Sequence, residues 1–166
     1  VPKQHFAQLL ARRTFDIALL SCSHDRREKT RGMGNFAFHH VGVAVRDLKQ
    51  SIGIFNNLFG YQLQSGPFDD PIQKVSVCFL TRGVGDALIE LVAPLGPKSP
   101  IDLTLKKGGG TYHICYQVPD MSQAIEHLTS QGSFLLSGPV PAVAFDGREI
   151  AWLMTEADLL VELVQS

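Results

Sequence analysis

The sequence predicts an α+β fold of two tandem βαβββ modules, and three observations carry the prediction. The pattern of Phe38-His39-His40-Val41-Gly42-Val43-Ala44-Val45-Arg46-Asp47-Leu48 recurs 73 residues later as Thr111-Tyr112-His113-Ile114-Cys115-Tyr116-Gln117-Val118-Pro119-Asp120-Met121. Each copy sets a His at the same step of a short apolar run, closes with Val and then Asp, and leads into a segment of helical spacing. Further along, Ser65-Gly66-Pro67 returns as Ser137-Gly138-Pro139, and Asp86–Val92 returns as Asp158–Val164, both at an offset of 72. One residue was therefore lost between the helix and the second strand of the second copy.

Composition narrows the classes. At 166 residues the chain is one domain's worth, long enough to bury a sizeable core. Lys+Arg 15 against Asp+Glu 16 leaves a net charge of -1, with no overall basic field for nucleic acid or an anionic membrane. The cysteines Cys22, Cys78 and Cys115 lie far apart, without C-x-x-C spacing, so a reducing, cytoplasmic setting is expected. No apolar run reaches the about 18–20 residues that a bilayer-crossing helix needs.

Residues 1–34 are expected to be an N-terminal extension, a helix over roughly Lys3–Leu20 followed by a polar linker. Its acidic residues argue against an organelle-targeting peptide. It reads as an accessory or oligomer-contacting helix, or as read-through ahead of a start at Met33. The organised domain spans 35–166: module one over 36–92, a connector over 93–110 and module two over 111–165.

In module one, Phe38–Val45 reads as a strand, whose alternation sends His40, Gly42 and Ala44 to an open face and Val41, Val43 and Val45 to a packed one. Asp47 can cap a helix over Leu48–Phe59, with Leu48, Ile52, Phe55 and Phe59 as its apolar stripe and Gly60 as its end. Tyr61–Gly66, Lys74–Thr81 and Ala87–Val92 read as three more strands, separated by turns at Pro67–Ile72 and Gly83–Asp86. The connector carries Pro94, Pro97 and Pro100 and the Gly108–Gly110 run; a short helix over Pro100–Lys107, capped by Ser99, is expected to bridge the modules. The glycine run lacks the G-K-[ST] of a phosphate loop and reads as a helix end and linker. Module two repeats the order with a strand at Thr111–Val118, a helix at Met121–Ser130, and strands at Ser133–Pro139, Ala142–Phe145, Arg148–Met154 and Leu159–Val164. Asp146-Gly147 is the turn between the second and third of those last four.

The duplication superposes polar residues as well as elements: His40 on His113, and Glu90 on Glu162. Both carboxylates sit inside apolar strands, Leu88–Val92 and Leu160–Val164, where an ionised group without a partner is costly to bury. Two imidazoles and two carboxylates, one of each per module, are suitable ligands for a divalent transition metal, with N and O donors suiting Zn, Ni, Co, Mn or Fe. His40, Glu90, His113 and Glu162 are thus read as a four-ligand metal site with open positions. Strand alternation turns His39 away from it. His5, His24 and His127 are expected to be solvated, Cys115 to be a small buried apolar residue, and Gln73, Lys74 and Arg148 to be solvated near the cavity rim.

On His40–Leu48, Ile89–Leu95, Ser99-Pro100-Ile101, His113-Ile114-Cys115 and Leu160–Leu163, residues 36–165 resemble the vicinal oxygen chelate superfamily of glyoxalase I, extradiol dioxygenases, fosfomycin-resistance proteins and methylmalonyl-CoA epimerase, and most of all its epimerase branch. The resemblance implies a cupped half-barrel mixed sheet with helices outside, one metal held by His40, Glu90, His113 and Glu162, and a homodimer. It also implies that Glu162, or Glu90, serves as a displaceable ligand and catalytic base. Two departures stand out: Val77 occupies the place of an additional third-strand Glu that serves some epimerases as second base, and Met154-Thr155-Glu156 replaces a His-Pro-Lys before the last strand.

The expected function is that of a metal-dependent lyase or isomerase working through an enolate, with a small-molecule substrate, an acyl-CoA such as methylmalonyl-CoA. The alternatives are a glyoxalase-I-like isomerase and a non-catalytic binding or resistance protein built on the same cup.

Overall fold

The computed structural model describes residues 35–166; the helix expected over Lys3–Leu20, with His5 and His24, lies outside them. Module one is β1 (Ala37–Ala44), α1 (Leu48–Phe59), β2 (Gln62–Asp70), β3 (Val75–Thr81) and β4 (Leu88–Pro94). After a short α2 (Asp102–Lys106), module two follows as β5 (Gly110–Val118), α3 (Met121–Ser130), β6 (Phe134–Pro141), β7 (Glu149–Met154) and β8 (Leu160–Gln165). All eight strands form one open mixed sheet, in the order β2-β3-β4-β1-β5-β8-β7-β6. The α+β fold of tandem βαβββ modules is the one expected.

Pairing explains the cup. Within each module the last strand returns parallel to the first, β4 beside β1 and β8 beside β5. The modules meet where β1 pairs antiparallel with β5. His40 and Gly42 of β1 there lie opposite Cys115 and His113 of β5. Each helix buries the outer face of its own module. Leu48, Ile52 and Phe55 of α1 pack with Val43, Cys78, Leu80 and Leu91, while Met121, Ala124, Ile125 and Leu128 of α3 pack with Ala151, Leu153, Val161 and Leu163. Asp47 and Asp120 cap these helices by accepting from Gln50 N at 2.7 Å and Gln123 N at 2.9 Å. Phe59, expected in the α1 stripe, is exposed.

Several expectations are corrected. Pro67 does not end β2, which runs on to Asp70, because β2 is the sheet's edge strand and a proline there removes no ladder donor that a neighbour needs. Ala142–Phe145 is a 3-10 turn rather than a strand. Val143 N donates to Asp70 Oδ2 at 3.3 Å, which pulls this segment off the β6 ladder and over the cup. Ser99 caps nothing; its hydroxyl is buried without a partner, and α2 begins later, after Ile101. Nor is the His face of β1 open: His40, Gly42 and Ala44 are buried, whereas Val41 and Val43, the latter packed with α1, are only half-buried. The apposition of two modules closes the inner face more completely than one helix covers the outer. Among the described residues no helix is long and apolar enough to cross a membrane.

Candidate metal centre

Strand alternation aims one carboxylate from each module into the cup. In β4, Ile89 and Leu91 face α1, so Glu90 and Val92 face inward. In β8, Val161 and Leu163 face α3, so Leu160 and Glu162 face inward. His40 and His113 come from the central pair β1 and β5. Gly42 makes room for the second imidazole: a Cβ on Gly42 would collide with the His113 ring.

The four side chains meet at their tips. His40 Nε2 lies 3.0 Å from His113 Nε2, and 3.3 Å from both Glu90 Oε2 and Glu162 Oε2. His113 Nε2 lies 3.2 Å from Glu90 Oε2 and 3.4 Å from Glu162 Oε2. All four residues are buried, none more than 5% exposed. Ligands bound about 2.0–2.2 Å from one ion stand about 2.8–3.6 Å apart for tetrahedral or cis-octahedral pairs, and these separations fall in that range. The donor chemistry fits as well. Glu162 Oε2 is buried with no hydrogen bond directed at it, which is unusual for a carboxylate oxygen. The residues present therefore fit a divalent ion, and the cluster is a possible metal-binding one.

Electrostatics within the cluster pull against burial. Burial alone would depress both histidines, but contact with Glu162 and Glu90 outweighs it, raising His40 above the usual imidazole value and His113 to about 9. Conversely, burial would raise both glutamates, yet His113 and His40 hold Glu90 and Glu162 below the ordinary carboxylate value. Each of the four groups is thus shifted toward its charged form by its neighbours.

His39 is the main correction at the site. Between Phe38 and His40 the β1–β5 register shifts by one residue, leaving His39 as a bulge in β1. The bulge turns His39 to the side of His40, with its Nδ1 2.8 Å from His40 Nδ1. Its ring is half-buried against Phe145, at 5.5 Å between centroids, and Phe79, at 6.3 Å. Burial foremost, then His40, lowers its pKa. The repeat carries this irregularity too: a second shift, between Gly42 and Val43, leaves Tyr112, the counterpart of His39, as the extra residue of β5. Tyr112 lines the cavity, and His113 Nδ1 beside it is buried without a partner.

Glu90, His113 and Glu162, with His40 buried behind them, line a cavity of about 500 Å³. Val75, Val77, Ile150 and Trp152 wall it, and the 3-10 turn places Ala144 and Phe145 across one side. Gln73 and Lys74, expected to be merely solvated, line it, as does Lys98; both lysines are exposed, so they stand at the mouth. Arg148 does not line it, and instead donates to the carbonyls of Phe145 and Gln165. Cys115 is fully buried in the apolar cluster of Phe79, Phe145 and Ile150, where burial foremost pushes its thiol pKa up. His127 is half-buried, its ring 5.8 Å from Phe36. Sequence reasoning missed Trp152, Tyr112 and Phe145. Counting β7 in twos from Ile150 would have found Trp152; the other two depend on a bulge and a turn that leave no periodic signal.

A cup of paired βαβββ modules with two imidazoles and two carboxylates at its centre defines a class of protein. The sequence profile of the Glyoxalase/Bleomycin resistance protein/Dioxygenase superfamily matches residues 39–152, and the chain belongs to that superfamily. Among its relatives, the ethylmalonyl-CoA/methylmalonyl-CoA epimerase of Cereibacter sphaeroides is 35% identical over 131 residues, 76% of this chain and 96% of that one. The mitochondrial methylmalonyl-CoA epimerase of Homo sapiens is 33% identical over 132 residues, 77% of this chain and 73% of that one. The crystal structure of methylmalonyl-CoA epimerase from Mycobacterium tuberculosis superposes with a TM-score of 0.68 at 26% identity, covering 78% and 87% of the two chains.

Proposed function

We propose that this chain is a divalent-metal-dependent isomerase that epimerises a 2-substituted malonyl-CoA thioester, methylmalonyl-CoA being the leading candidate. The observation that carries the reading is the convergence of His40, Glu90, His113 and Glu162 on one point, with Glu90, His113 and Glu162 lining an apolar-walled cavity. The epimerase names of the relatives support the choice of reaction. Residues 35–166 are the working domain in this reading, and 1–34 an extension to it.

His40, Glu90, His113 and Glu162 would hold the ion, which when bound supplies Lewis-acid stabilisation for the negative charge left as the proton on C2 departs. The remaining chemistry belongs to the chain. Glu162 or Glu90 takes that proton, and inversion requires its return from the opposite face. Val77 walls the cavity where some epimerases place a further glutamate, and the other lining carboxylate, Asp70, is engaged by Ile72 N, Gln73 N and Val143 N. Among the described residues the two cluster carboxylates, one per module, are therefore the pair at hand for the two faces. Val75, Val77, Ile150 and Trp152 exclude water from the carbanion, while Lys74 and Lys98 at the mouth provide positive charge for the phosphates of a CoA whose acyl end is inside.

A homodimer in a reducing compartment completes the proposal. Exposed Phe134, Leu135 and Leu136 on the edge strand β6 support association.

The test is exchange of the C2 proton of methylmalonyl-CoA for deuterium in heavy water, followed by NMR, with metal content measured in parallel and a hemithioacetal as the competing substrate. Metal-dependent exchange that Glu162→Gln abolishes is expected. Turnover of the hemithioacetal alone would move the chain to the glyoxalase reading. Metal uptake without turnover of either substrate would leave a binding protein.

A further inference from the structure

The bulge that brings His39 beside His40 gives the cluster a supporting residue in one module that the other lacks. A histidine that binds a metal through Nε2 carries its proton on Nδ1, and the group that accepts this proton's hydrogen bond fixes both the tautomer and the plane of the ring. For His40, the only side-chain group among the described residues at hydrogen-bond distance from Nδ1 is His39 Nδ1, at 2.8 Å. His113 has no such partner among the described residues, its Nδ1 being buried and unsatisfied. The counterpart of His39 there is Tyr112, whose ring lies edge-on to that of His113 at 5.3 Å.

We infer that His39 is a positioning residue: its Nδ1 accepts from His40 Nδ1–H and so keeps the Nε2 lone pair of His40 directed at the point where His113, Glu90 and Glu162 converge. The aromatic surroundings make this contact directional. Phe145 and Phe79 flank both imidazoles, His39 at 5.5 and 6.3 Å and His40 at 6.2 and 5.4 Å between centroids. Neither ring can swing without leaving that packing. Module one thus holds its histidine by a hydrogen bond, whereas module two holds His113 by packing, with its ring against Gly42. The inference rests on the four-residue cluster being a metal site, but not on which reaction the site performs.

The experiment is a titration of the full chain with Co²⁺ alone, followed by visible d–d absorption, for the parent, His39→Leu and His39→Asn. Asn offers a carbonyl oxygen near the position of the imidazole Nδ1; Leu has a similar shape and no acceptor. The leucine variant is expected to lose about 10–100-fold in Co²⁺ affinity, the usual cost of removing such a partner, and the asparagine variant to recover most of it. Parent-like affinity in His39→Leu, or equal loss in both variants, overturns the inference while leaving the metal site standing. A parent that takes up no Co²⁺ overturns both together.

Should His39→Leu not fold, two-bond ¹H–¹⁵N correlations of histidine-labelled, Zn²⁺-loaded parent decide the matter. Protonated Nδ1 on His40 and bare Nδ1 on His39 are expected, and the reverse assignment refutes the inference.

Discussion

Gly42 shows how much of this site depends on a side chain that is not there. It lies opposite His113 across the β1–β5 ladder, and the imidazole occupies the space a Cβ would take. The nearest atoms it would meet belong to a fully enclosed ring, so the clash has no inexpensive outlet. Gly42→Ala is therefore expected to destabilise the fold by about 1–3 kcal/mol, as overpacking does, and to abolish metal uptake. Denaturant unfolding and elemental analysis check the two parts separately. The histidines also set a pH dependence. Because the glutamates hold His40 above its usual value and His113 at about 9, a metal ion must displace protons to reach the two ring nitrogens. Affinity should accordingly rise with pH up to about 9 and level off above it. The carboxylates, shifted downward, add no slope in that window. Titrations at several pH values, with proton release measured in two buffers, test the sign; affinity falling with rising pH would contradict it.

At the scale of elements, Asp70 links the modules. It ends β2, is buried, and accepts from Ile72 N and Gln73 N at 2.9 Å, which forms the β2–β3 turn carrying Gln73 and Lys74. Its second oxygen accepts from Val143 N and holds the 3-10 turn that sets Phe145 over the histidines. Asp70→Ala leaves three backbone donors without their acceptor, at a cost on the order of 1–3 kcal/mol or more, and loosens one wall of the cavity. Both a lowered unfolding midpoint and weaker substrate binding are expected, with metal content retained, because the hydrogen bonds of Asp70 go to Ile72, Gln73 and Val143 and to none of the four cluster residues. Loss of metal in this variant would mean that the turn supports the cluster more directly. Elements with strong periodicity, α1 with its Asp47 cap and α3, were legible in the sequence to the residue. The 3-10 turn was not, since Asp146-Gly147 marks Ala142–Phe145 as a hairpin strand and the bond to a carboxylate of the other module leaves no local signal.

For the molecule as a whole, the cluster joins the two modules across their shared ladder, so an ion bound there ties together strands from both halves. Any ligand that binds only the folded state stabilises it by mass action, about 2.7 kcal/mol at a free concentration of 100 times Kd. Chelation should then lower the thermal midpoint, and addition of Co²⁺ or Zn²⁺ should restore it. The effect should vanish in His113→Ala, where one of the four donors is gone. An unchanged midpoint on chelating a metal-loaded preparation would show that the site contributes nothing to holding the halves together.

The sequence by itself determined the duplication, and through it the order of elements, the two helices and the grouping of His40, Glu90, His113 and Glu162. A repeat that superposes rare polar residues inside apolar strands carries three-dimensional information in one dimension. Tertiary structure alone decided which neighbours serve that group. His39 and Tyr112 reach the inner face through bulges that defeat period-two counting, Phe145 through a bond to Asp70, and Lys74 and Lys98 through the loops that rim the cup. The physical reason is the same in each case: strand alternation and helical spacing are local and survive in the sequence, whereas a one-residue register shift or a cross-module hydrogen bond exists only once two segments are paired.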